Sequence, residues 1–147
     1  MLTPTHITTS LLTHWRDTFP LSVPTLYPGT TLDTSATDEW IELWIDTWSR
    51  PPQRATAPHF IDLILTAHLF LKPTLTPSRL HELAEATRTT LAQQRLPLRD
   101  YSISGHPIIG SATLFEPEAR DLTRHLQNAH HNLHHLTFTI PGTAQPI

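Results

Sequence analysis

Alternation of apolar and polar positions is the strongest signal in this chain. Over residues 40–48, Ile41, Leu43, Ile45 and Thr47 fall on one side of an extended segment, and Trp40, Glu42, Trp44, Asp46 and Trp48 on the other. Residues 60–71 repeat the pattern. Ile61, Leu63, Leu65, Ala67, Leu69 and Leu71 oppose Phe60, Asp62, Ile64, Thr66, His68 and Phe70. A period of two sustained over this length predicts two strands, each with one aliphatic face for a core. Between them, residues 49–59 carry Arg50, Pro51, Pro52, Arg54 and Pro58. Proline fixes φ and lacks an N–H, so this stretch predicts a loop that joins the strands as an antiparallel pair.

A helical period replaces the alternation at two places. In residues 5–19, Ile7, Leu11, Leu12, Trp15 and Phe19 share a face, with Thr5 placed to cap the start and Pro20 to end the run. In residues 77–94, Leu80, Leu83, Ala84, Thr87 and Leu91 do the same. There Thr76 and Pro77 supply the cap and first helical residue, and Ser78 lies in the first turn. Residues 23–27 read as extended, followed by a Pro28-Gly29 turn and a polar loop over 29–37. Residues 98–103 and 106–115 predict a hairpin turning at Ser104-Gly105, with Gly110 marking a bulge or a close backbone approach. Residues 116–130 fit either a short helix over 117–126 or a continued hairpin. A last strand is predicted over 133–140, and a flexible tail over 141–147. These elements predict one α+β domain spanning 1–147. Its expected form is a mostly antiparallel sheet of about four to five strands with two helices packed on one face.

Composition narrows the function classes. Only 16% of the 147 residues are charged and the net charge is -3, so a basic nucleic-acid-binding face is not expected. The chain has 14 Pro, 4 Gly and no Cys. The missing Cys excludes disulfides, thiolate catalysis and cysteine zinc sites, and so few glycines leave little from which to build a phosphate loop. No dinucleotide fingerprint or nucleophile elbow is present. Residues 60–71, the longest apolar stretch, are interrupted by Asp62, Thr66 and His68 and are too short for a membrane helix. The opening Met-Leu-Thr-Pro-Thr-His has no basic start and no apolar run, so it is not read as a secretory signal. A soluble protein without a membrane partner is expected.

Histidine is the main chemical candidate, with 11 in the chain. His125, His130, His131, His134 and His135 crowd one stretch, and a helix would put His130 beside His134 and His131 beside His135. Such pairs hold two positions of a zinc ion, but the Glu of the metalloprotease motif is missing and no third ligand is marked out. The plainer reading is a His-rich polar surface, with no metal and no cofactor. Glu42, Asp46 and Asp62 are candidate acid–base carboxylates, yet no nucleophile or base is placed with them, and Ser78 has no His-Asp partner at a telling spacing. The Trp residues beside the carboxylates point elsewhere. Trp is enriched in interface hot spots, so Trp40, Trp44 and Trp48, with Arg50 and Arg54 of the following loop, form the candidate subunit interface. No catalytic residue is assigned, and the chain is not expected to be an enzyme.

Taken together, several segments resemble the tail terminator and tail completion proteins of long-tailed, lambda-like phages. The segments are the N-terminal amphipathic helix containing Trp15-Arg16, the stretch ending Leu26-Tyr27-Pro28-Gly29, the strand rhythm Asp38-Glu39-Trp40-Ile41-Glu42-Leu43-Trp44, the strand Ile61-Asp62-Leu63-Ile64-Leu65 running to Phe70, the helix from Leu80 to Leu91 and the hairpin with Ile109-Gly110. The likeness covers residues 5–140 and rests on element order; the Pro-rich, Gly-free loop after Trp48 departs from it. The resemblance implies a hexameric ring that caps the finished tail tube, stops its polymerisation and meets the head connector. DNA would pass through the lumen without specific binding, and a mildly acidic chain suits that. The implied location is the virion neck, after assembly in the host cytoplasm. Other readings of the same residues are a different neck or head-closure subunit, a His-rich metal-binding protein, and a small binding module with a cavity between helix and sheet.

Overall fold

A computed structural model describes residues 1–50, 59–123 and 133–147. The first helix, α1, spans Pro4–Thr18. Its N-cap is Thr3 rather than Thr5. The Thr3 hydroxyl accepts from the His6 N–H, and the His6 ring takes the Thr3 N–H in return, which satisfies donors that the first turn leaves open. Pro4 occupies the first turn, where no N–H is needed. Ile7, Leu11 and Trp15 are buried at a spacing of four. The Trp15 indole N–H donates to the Thr25 hydroxyl (3.2 Å), which ties α1 to the first strand. That strand, β1, is only Thr25–Leu26 and runs parallel to β2. A 3-10 turn over Thr34–Ala36 leads into β2, Glu39–Ser49.

β2 pairs antiparallel with β3, Ile61–Leu71, without a slip from Glu39↔Leu71 to Ser49↔Ile61. The predicted aliphatic sides of the two strands therefore share one face, and Leu63, Leu65, Ala67, Leu69 and Leu71 are all buried there. Helix α2, Pro77–Leu91, packs on that same side through Leu83, Ala86, Thr87 and Leu91. Thr87 and Thr90 are buried at no polar cost because each hydroxyl donates to a carbonyl one turn back. Arg79 fixes the start of α2 to β2 by a two-pronged contact with Glu39 (2.8 Å each). The remaining strands are β4 (Arg95–Arg99), β5 (Ile108–Leu114), β6 (Glu118–Asp121) and β7 (His134–Pro146). No described helix is long and apolar enough to cross a membrane.

The sheet corrects the expected architecture. It has seven strands in the order β1-β2-β3-β7-β5-β4, with β6 also on β7, and it curls into a half-barrel instead of forming a sheet of four to five strands. The mixed α+β character with two helices remains. β1 lies within the extended stretch expected over 23–27, and β6 within the stretch expected to be either a short helix or a continued hairpin. β6 is exposed at every position, so it has no buried face to betray it. β1 is two residues long. The predicted tail over 141–147 is instead the second half of β7, which runs to Pro146 between β3 and β5. Pro141 is tolerated because its backbone faces the break between β5 and β6, where its carbonyl accepts from Phe115 and no N–H is required (2.9 Å). The β4–β5 turn also differs from the expected Ser104-Gly105 pair. Residues 100–107 form a longer loop, held by Asp100 capping Ser102 and by Arg99 reaching the His106 carbonyl (2.8 Å). Gly110 is a close-approach glycine: a Cβ there would lie 2.5 Å from the Gln145 carbonyl oxygen on β7.

Candidate functional site

The face of the sheet turned away from the helices collects most of the chemically interesting residues. Register fixes their rows. Trp40 lies beside Phe70 and then His135; Glu42 beside His68 and then Thr137; Trp44 beside Thr66 and then Thr139. Asp46 follows beside Ile64, and Trp48 beside Asp62.

The first two rows form a half-buried aromatic cluster. The Trp40 ring stacks on Phe70 at 5.1 Å, and Phe70 stacks on His135 at 4.3 Å. Trp40 is only 6% exposed, and its indole N–H reaches Glu42 (3.4 Å). Of the predicted interface set, Trp40 is thus the one whose ring is packed within its own sheet. Next to it, His68 Nδ1 and His135 Nε2 lie within hydrogen-bond distance at 2.8 Å, and the Thr137 hydroxyl stands 3.2–3.3 Å from both nitrogens. Burial pushes both imidazoles below their ordinary range, and for His135 the neighbouring His68 pushes further the same way. Glu42 pulls both back upward, as does Asp121 for His135. Two charged rings at this distance would repel.

The lower rows are open. Trp44 is 46% and Trp48 47% exposed. Cross-strand Thr66 and Thr139 and the partly buried Ile64 continue the surface between them. At its margin Arg50 grips Asp62 through two nitrogens. That guanidinium, through its hydrogen bonds, holds the Asp62 carboxyl below the usual carboxylate range. Arg50, a predicted partner contact, is therefore engaged with its own β3. Arg54 lies outside the described residues, as do His125, His130 and His131. His134 and His135 are adjacent on a strand, so they do not continue a helical pairing with the earlier histidines. Glu42, Asp46 and Asp62 share the face but not a site. Asp46 sits opposite Ile64, Asp62 is committed to Arg50, and Glu42 keeps company with Trp40 and the imidazoles. Among the described residues no three His, Asp or Glu side chains converge to hold a metal ion.

The backbone edge beside the open rows is also without a strand partner among the described residues. β1 covers β2 only at Ile41 and Glu42, and no described strand lies against residues 43–49 on that side. The sequence shows the Trp residues but not which of them is free, because the burial of Trp40 depends on Phe70, thirty positions away. The His68–His135 pair was missed for the same reason. Comparison of the chain with protein-family models and with curated proteins returns no match.

Proposed function

We propose that this chain is a structural subunit that assembles with copies of itself, and specifically a tail terminator of a long-tailed phage: a ring that closes the tail tube and meets the head connector. The observation that carries the reading is the pair Trp44 and Trp48. Both stand about half exposed on a strand whose backbone edge is unpaired among the described residues. Large aromatic side chains left in water beside open N–H and C=O groups are costly to solubility unless a partner covers them. A partner that is another copy needs a surface that differs from its own, because rings close by head-to-tail contact. The curled, asymmetric sheet offers two such edges. The mild negative charge suits a lumen that passes DNA without gripping it.

Negative-stain electron microscopy of the purified chain tests the reading. Closed rings of uniform size are expected, six-membered by the resemblance in element order. Particles the size of one chain at all concentrations would overturn it.

A further inference from the structure

Among the described residues, the margins of the sheet at β4, β2 and β6 are not alike. β4 is guarded: Pro97 denies an added strand one donor, the register slips between Leu98 and Arg99, and the Arg99 N–H is already taken by Ser10 of α1 (2.9 Å). β2 over residues 43–49 has no proline and no slip in register, and its only exposed charge is Asp46. β6 is exposed at all four positions and, among the described residues, pairs only with β7. An edge that is long, regular and unguarded is a template for another strand.

Directions decide which strand fits. β2 is antiparallel to β3, β3 to β7 and β6 to β7, so β6 runs opposite to β2. Rotation about an axis roughly along the strands leaves those directions unchanged. β6 of one copy would therefore meet β2 of the next in the antiparallel sense. The side chains also agree. Arg120 lies opposite Thr137, in the row of His68 and Glu42, and so on the same face as Asp46. Both are exposed, and neither has a hydrogen-bond or ion-pair partner among the described residues.

Resting on the ring reading, we infer that a second copy of this chain adds its β6 to the open edge of β2, antiparallel, with Arg120 of one copy against Asp46 of its neighbour. In that register Leu122, 37% exposed, falls opposite Trp44, and Ala119 opposite Thr47. Arg120 stands in the row of Glu42, four residues from the row of Asp46. Neighbouring copies are then staggered along the strands by about 13 Å, at ~3.3 Å per residue. Tilted strands in a closed ring require a stagger of this kind.

Charge reversal tests the contact. The wild type, Asp46→Arg, Arg120→Asp and the double variant are compared by sedimentation velocity over a concentration series, with thermal melts to check that all four fold alike. Each single reversal sets like charges together and is expected to weaken assembly at least roughly tenfold. The double variant restores the opposite pair and is expected to recover most of the loss. A wild type that assembles while neither single variant is weakened, or a double variant no better than the singles, overturns the strand contact and leaves the ring standing. A monomeric wild type removes the ring reading and this contact with it.

Discussion

Replacing Trp44 with alanine separates assembly from folding. A Trp side chain presents up to about 250 Å² of surface. With 46% of Trp44 exposed in the isolated chain, roughly 100 Å² remains for a partner to cover. At ~25 cal/mol per Å², that burial is worth about 2–3 kcal/mol per contact. An interface that loses it weakens by a factor of roughly 30 to 100 in Kd, since ~1.4 kcal/mol is tenfold. The same substitution removes little from the monomer, because the lower rows of the sheet are open, and surface changes of this kind stay within about 0.5 kcal/mol. Trp40→Ala is the internal contrast. That ring is 6% exposed and stacked on Phe70, so its loss costs about 3–5 kcal/mol of folding stability. Sedimentation velocity reads the association constant, and urea unfolding at low protein concentration reads the monomer. The reasoning fails if Trp44→Ala associates like the wild type, or if its urea midpoint falls as far as that of Trp40→Ala.

The remaining predictions concern the fold behind that surface. Burial depresses both imidazoles of the His68–His135 pair in the folded chain, while the unfolded chain titrates them near 6.5. Their contribution is therefore complete above about pH 6.5 and is lost as the pH falls below it, because the unfolded state then binds more protons. Urea midpoints should drop between pH 7 and pH 5, and His68→Gln should flatten part of that slope; a His68→Gln profile parallel to the wild type would refute the assignment. Asp62, lowered by its hydrogen bonds to Arg50, adds a loss only as the pH falls through the carboxylate range, which Arg50→Gln should shift upward in an NMR titration of the Asp62 carboxyl. Gly110→Ala drives a Cβ to 2.5 Å from the Gln145 carbonyl and should cost about 1–3 kcal/mol, read as a lower thermal midpoint. An unchanged midpoint there would mean that β5 and β7 are not packed as described.

How much of this was legible depends on whether the signal is local. The alternation in β2 and β3 reads directly, since each strand buries one aliphatic side and the hairpin pairs them without a slip. The start of α2 was legible from Thr76 followed by Pro77, although the Thr76 side chain makes no capping bond, and the capping hydroxyl of α1 is Thr3, two residues earlier than the expected Thr5. β6 carries no apolar pattern at all, and β7 runs through Pro141 and Gly142, residues that normally stop a strand. Its continuation depends on a gap between β5 and β6 that only the assembled sheet creates. The site followed the same rule. The Trp-bearing face was visible, but its division into a closed half around Trp40 and an open half around Trp44 and Trp48 comes from cross-strand neighbours. His68 and His135 sit 67 positions apart and meet because β3 and β7 are adjacent.

Native mass spectrometry of the freshly purified chain measures the central claim most directly. One closed species at a fixed multiple of the 16.7 kDa chain, lost on substitution of Trp44, is the predicted spectrum. A spectrum holding only the single chain at micromolar concentration would contradict it.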